Sequence, residues 1–236
     1  GALLDYVPVA GIVWICWAIL AGILLLALVL PEAPPVRVAG EAPGLREILR
    51  EGRVRALLTA CVAMSAAHGA LYVFYSIHLA GHGYSTTAVG ILWSVGVLAE
   101  IGMFILMPRL LERYSLEGLL AFSFAVAVVR FLLIGWAVDT LLLAILAQTL
   151  HGVTFGVFHA AAIAAVNRWF PGRAQGRGQA LYSSLSFGAG GLLGGLLSGW
   201  VWDGLGAGWT YTLSSAFALA GLVLMLACGP AQRHAR

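Results

Sequence analysis

Two charged side chains stand alone inside long apolar runs. They are Glu100 in TTAVGILWSVGVLAEIGMF and Arg130 in LLAFSFAVAVVRFLLIGW. Two histidines, His151 and His159, sit in the same way inside LAQTLHGVTFGVFHAAAIAAV. A carboxylate and an imidazole can take up and release protons, and imidazole does so near neutral pH. A guanidinium keeps its charge and pairs with carboxylates in a two-pronged fork. His68, Tyr72 and Tyr75 add imidazole and phenol groups spaced i, i+4 and i+7, as on one helix face. Such a face can stack on a ring and hydrogen-bond a carboxylate, or serve packing alone. Gln148, Gly152, Phe155 and His159 fall on a second stripe at i, i+4, i+7 and i+11, suited to a cavity wall. On a regular helix His151 and His159 are about 12 Å apart along the axis and roughly 80° apart in rotation. One metal ion cannot bridge them through that helix alone.

The elements holding these groups are set by composition. Apolar residues make up 61% of the 236 residues and charged residues only 10%, against about a quarter charged in soluble domains. There are too few polar residues to cover a soluble core, so the expected solvent is a lipid bilayer. A spanning helix needs about 20 mostly apolar residues. Seven stretches qualify: 7–30, 54–79, 87–107, 116–138, 141–166, 179–202 and 207–228. The breaks GHGYS, MPRLLERYS, FPGRAQGRG and WDGLGAG carry turn residues. Strict alternation over short strands, the mark of a membrane β-barrel, is missing. The fold class is therefore an all-α membrane protein of seven transmembrane helices.

All thirteen basic residues are arginine. Twelve of them fall on one side of that arrangement: Arg37, Arg46, Arg50, Arg53, Arg55, Arg109, Arg113, Arg168, Arg173, Arg177, Arg233 and Arg236. The positive-inside rule makes that side cytoplasmic, with the N-terminus of the chain outside and its C-terminus inside. Trp136, Trp200, Trp202 and Trp209 then fall near the outer interface and Trp169 near the inner one, as in an aromatic belt.

The chain divides into an isolated helix (1–30), a linker (31–53), a six-helix bundle (54–228) and a tail (229–236). The linker is rich in Pro and Gly, then ends in LREILREGRVR. There Leu45, Ile48 and Leu49 are spaced for an amphipathic helix on the inner membrane surface. Gly190 and Gly194, Gly191 and Gly195, and Gly195 and Gly199 are each four apart, a spacing that lets spanning helices approach closely. The cysteines Cys16, Cys61 and Cys228 lie in apolar runs and read as packing residues. The missing initiator Met suggests a piece of something longer.

Several stretches carry a family resemblance: FYSIHLAGHGYSTTAVGILWSVGVLAEIGMF, AQTLHGVTFGVFHAA and FPGRAQGRGQALYSSLSFGAGGLLGGLLSGWVWD. Together they resemble the C-terminal half of a major facilitator superfamily transporter, most of all the phenylpropionate permease group. The first helix resembles helix six of such a transporter. PRLLERYS resembles the superfamily loop between helices eight and nine, with Glu112 and Arg113 at its acidic–Arg pair, but without the usual glycine and second basic cluster. PGRAQGRGQA resembles the loop entering helix eleven, matched at Pro171, Arg177, Gly178 and Ala180.

The resemblance implies two bundles of inverted three-helix repeats with a substrate site between them. It makes the chain a fragment or half of a secondary transporter in the inner membrane, lacking an N-terminal half. Proton-coupled symport of a small organic solute, such as an aromatic acid, is the implied activity. Glu100, His151 and His159 are then the candidates for handling the proton. Arg130 is the candidate for charge compensation or for a substrate carboxylate. His68, Tyr72, Tyr75, Gln148 and Phe155 are the candidate cavity wall, and Glu112, Arg113 and Arg177 the gating-loop residues. An internal ion pair between Glu100 and Arg130 that only fixes packing is the competing reading; their depths differ by about 10 Å, so contact requires offset or tilted helices.

Other classes fit less well. No lysine exists to form a retinal Schiff base. A haem or metal enzyme would draw on His68, His151 and His159, but these lack the short spacings of a ligand face. An assembly partner for a separate half-transporter is the non-transporting alternative. No nucleotide-binding loop, hydrolytic triad or nucleic-acid module is visible. The expectation is thus no catalytic residues, no metal, no cofactor and no nucleic acid, with the lipid bilayer, protons and a small solute as partners.

Overall fold

The computed structural model describes residues 9–31 and 44–228, and its regular elements are all helices. They are α1 (Val9–Val29), α2 (Leu45–Arg50), α3 (Gly52–Gly81), α4 (Thr86–Arg113) and α5 (Leu116–Trp136). Then come α6 (Leu141–Trp169), α7 (Gly172–Leu205) and α8 (Ala207–Cys228). All but α2 are long and apolar enough to cross a membrane, giving the seven expected spans. Most of the linker and the whole tail lie outside the described residues, as do Arg37, Arg233 and Arg236.

Local chemistry sets the helix ends. The Ser85 hydroxyl accepts from the Ala88 amide at 3.2 Å and the Ser115 hydroxyl from Gly118 at 3.1 Å, capping α4 and α5. Between α7 and α8 only Gly206 intervenes, at φ 83°, a left-handed conformation that glycine adopts without a side-chain clash.

Two helices, α4 and α7, run well past their expected ends. α4 continues through Pro108 to Arg113, so PRLLERYS is almost all helix and not a loop. Proline costs the helix one donor, and its ring crowds the preceding turn. A spanning helix absorbs this where neighbours or water satisfy the freed carbonyl. α7 begins at Gly172 rather than 179, and α7 also reaches Leu205, leaving little of WDGLGAG as turn. The expected amphipathic helix is not one piece. It breaks at Glu51, whose extended backbone separates α2 from α3, and the residues after it join the second span.

In the bundle, α3 and α5 both pack on α8, α7 lies on α3, and α6 lies on α4 and α5. Leu57, Leu71, Phe124, Phe131 and Tyr211 are fully buried between them. α3 and α7 meet at their backbones: a Cβ on Gly69 would lie 2.6 Å from Gly195 N, and one on Gly190 2.7 Å from Val62 O. By contrast α1 has no buried side chain among its described residues, and Leu28 is 74% exposed. Trp136, Trp200 and Trp209 are exposed as a belt requires. Trp169 departs from the belt: it is buried, with the Arg53 guanidinium 5.6 Å over its ring.

Candidate functional site

Arg130 is 0% exposed, on the face of α5 turned to α6. Its fork is occupied by neutral acceptors. Nε donates to the Ala147 carbonyl at 2.8 Å, Nη1 to the Thr154 hydroxyl at 3.1 Å, and Nη2 to Gln148 Oε1 at 3.5 Å. Nη1 also faces His68 Nε2 at 3.4 Å. His68 Nδ1 lies 2.9 Å from the Met64 carbonyl, which can only accept. Nδ1 therefore carries the proton, and the Nε2 lone pair points at the guanidinium.

Glu100 does not reach Arg130. Its Oε1 lies 2.6 Å from His151 Nε2, and no ion pair joins it to Arg130 among the described residues. The His151 ring is 5.9 Å from that of His68. Acid and guanidinium are thus connected through two imidazoles. The offset in depth is bridged by rings. Among the described residues, His151 Nδ1 is buried without a partner, as is Gln148 Nε2. α4 and α6 come this close because glycines face the partner helix. A Cβ on Gly152 would lie 2.6 Å from the Ala99 carbonyl oxygen, and one on Gly96 3.1 Å from Gln148 Oε1.

Between Gly152 and Val157, α6 widens into a π-helical turn. The wider turn holds more residues per revolution and cancels much of the 80° offset expected for a regular helix. His151, Phe155 and His159 consequently form one stack. Phe155 lies 5.4 Å from His151 and 5.7 Å from His159, the latter at 12° between planes. π-turns of this kind recur at functional sites. α7 has a second one at Ser184–Gly190.

His159 meets no carboxylate among the described residues. Its Nδ1 lies 2.7 Å from the Tyr182 hydroxyl on α7. Both residues line a crevice of about 180 Å³ between α3, α6 and α7, together with His68, Tyr72, Phe155 and Phe187.

The tyrosine stripe divides. Tyr72 is 56% exposed at the crevice and stacks on Trp93, whereas Tyr75 is fully buried, edge-on to the same Trp93. Gln148, expected in the cavity wall, lies behind it on Arg130. The Gly191 and Gly195 pair floors the crevice, with nothing within 4 Å of a Cβ at either. Glu112, Arg113 and Arg177 are exposed and enter no ion pair among the described residues. Gly178, beside Arg177, leaves room for the Phe170 ring, whose Cβ a methyl there would approach to 2.8 Å.

Sequence reasoning missed Thr154, Tyr182, Trp93 and Phe187. Only Thr154 had a signal, three residues past His151 and so beside it on the helix. It also passed over His78 and His82, spaced i, i+4. They cap one end of the bundle instead. His78 Nε2 donates to the Ile134 carbonyl at 2.8 Å, and His82 lies 3.5 Å from Asp139. Tyr84, in the same turn, donates to the Val138 carbonyl at 2.6 Å. Burial and the nearby Asp139 carboxylate hold its phenol above the usual range, so it remains a donor. No group of three or more metal-ligating side chains occurs among the described residues.

Comparison with known proteins fits this architecture. The chain is 38% identical over 154 residues to the probable 3-phenylpropionic acid transporter of Escherichia coli K12, covering 63% of this chain and 39% of that protein. It is 23% identical over 191 residues to the uncharacterized transporter YwbF of Bacillus subtilis 168, covering 81% of this chain and 48% of that protein. The chain therefore spans between about two-fifths and half of the curated relatives it matches. The crystal structure of a mutant nucleoside transporter, NupG, superposes with a TM-score of 0.68 at 16% identity, covering 88% of this chain and 57% of that one, which shows a shared fold. The model of the MFS_1 like family matches residues 1–213. The chain is a multi-pass membrane protein of the MFS_1 like family, a family of transporters and not of enzymes.

Proposed function

We propose that the chain forms the C-terminal half of a secondary transporter of the inner membrane. It would carry a small organic acid, aromatic by analogy with the relative, together with a proton. An N-terminal half would complete the path, and the arginine-rich ends would face the cytoplasm. The observation that carries this reading is the 2.6 Å contact between His151 Nε2 and Glu100 Oε1. At that distance one proton is shared between nitrogen and oxygen, and a second can be added to the pair.

Charge balance supplies the coupling. With His151 neutral, Glu100 and Arg130 sum to zero. Adding a proton leaves the site positive, and an incoming carboxylate restores neutrality. In a low-dielectric interior an unbalanced charge is expensive, so proton and anion favour each other's binding. Arg130 then acts as the fixed positive charge, and its buried neutral cradle keeps it in place.

Glu100→Gln removes the proton site while keeping shape. In proteoliposomes holding the chain together with its N-terminal half, uptake driven by a proton gradient is expected to stop, while exchange of solute for solute continues. Gradient-driven uptake at the unsubstituted rate would refute the assignment.

A further inference from the structure

The polar side chains lining the crevice are Ser65, His68, Tyr72, Thr154, His159 and Tyr182, and Arg130 is not among them. That guanidinium is fully buried with each nitrogen engaged. The group that is offered is His159, which is only partly buried. Its partner Tyr182 is 2% exposed, and no other hydrogen bond to that hydroxyl exists among the described residues. A buried phenol has one proton to satisfy, and donation to His159 Nδ1 is the pairing that does so. In that pairing the imidazole carries its own proton on Nε2. His159 lines the crevice and is partly exposed, and its Nε2 has no hydrogen-bond partner among the described residues.

Around it the walls are rings. His159 is flanked by Phe155 at 5.7 Å and by Phe187 at 6.0 Å, and Tyr72 stands across the opening. Tyr72 and Phe187 are 56% and 53% exposed and mark the open side. The volume of about 180 Å³ suits one ring, since an apolar cavity of about 150 Å³ holds benzene.

We propose that this crevice is the ring-binding subsite for an aryl carboxylate, with His159 Nε2–H donating to the carboxylate and Tyr182 as the positioning residue that fixes its tautomer. The proposal rests on the transport reading only in taking the bound molecule to be the solute carried. It gives His159 a recognition role and leaves the proton to Glu100 and His151.

The test is calorimetric binding to the full chain in lipid nanodiscs, with 3-phenylpropionate, 3-cyclohexylpropionate and 3-phenylpropan-1-ol as probes. Wild type is expected to bind 3-phenylpropionate about tenfold more tightly than either analogue, one probe losing the π-face and the other the carboxylate. His159→Leu should lose about tenfold for 3-phenylpropionate, and His159→Gln, whose amide N–H replaces Nε2–H, should recover most of it. Tyr182→Phe should weaken binding less and show mixed tautomers at His159 by nitrogen NMR, where wild type shows Nε2–H alone. Gly195→Leu should fill the crevice and abolish binding without lowering the unfolding temperature.

Wild-type affinity in His159→Leu, equal binding of the cyclohexyl probe, or no binding of any probe by the folded chain would each overturn the proposal. Proton-driven uptake with unchanged affinity in His159→Leu would do so while sparing the transport reading. The expected binding pattern without any uptake would do the reverse.

Discussion

Arg130 illustrates how a buried charge is kept without an opposite charge at contact distance. Four of its five donors meet a backbone carbonyl, a hydroxyl, an amide oxygen and an imidazole lone pair. Thr154→Val retains the volume but removes the 3.1 Å acceptor, leaving Nη1 only the longer contact to His68. It is expected to cost about 1–3 kcal/mol, read as a lower midpoint of unfolding in detergent. The charged members of this cluster were legible in the sequence because a lone charge in a spanning helix has few explanations. Its neutral members were not. Thr154 and Tyr182 are ordinary residues for a membrane helix, and only the packing of α6 against α5 and α7 gives them their contacts.

At the scale of the helix, the π-turn of α6 decides which side chains share a face. Hydropathy reads length and apolarity, so it located all seven spans. It is blind to a local change of pitch, and the expected rotation between His151 and His159 therefore failed. Hydropathy also ended α4 at the first proline and arginine, where the backbone in fact stays helical through Pro108. The glycines of the α4–α6 seam separate packing from pitch. Gly152→Ala would drive a methyl into the Ala99 backbone at 2.6 Å. It is expected to part the helices, weaken the His151–Glu100 contact and destabilise by about 1–3 kcal/mol. At Gly156 a methyl meets Met103 Cβ at 3.4 Å, an ordinary contact. Gly156→Ala should leave the unfolding midpoint nearly unchanged, and equal effects of the two substitutions would disprove the account.

For the molecule as a whole, the arginine count predicts which ends meet the cytoplasm. Single cysteines at Gly83 and Glu112, in a chain freed of its native cysteines, test it. In spheroplasts a membrane-impermeant thiol reagent should label position 83 and spare position 112, and the opposite pattern would invert the assignment. The bundle also constrains how its parts can shift. α7 spans 34 residues, about 50 Å of helix, and joins α8 through Gly206 alone. A one-residue tether has no slack, so any change in the angle between the two helices turns at Gly206, like the arms of a compass. A tilt of about 10° at that glycine swings the distant arm by roughly 9 Å. The tied end acts as fulcrum, and the largest excursions fall at the other membrane face.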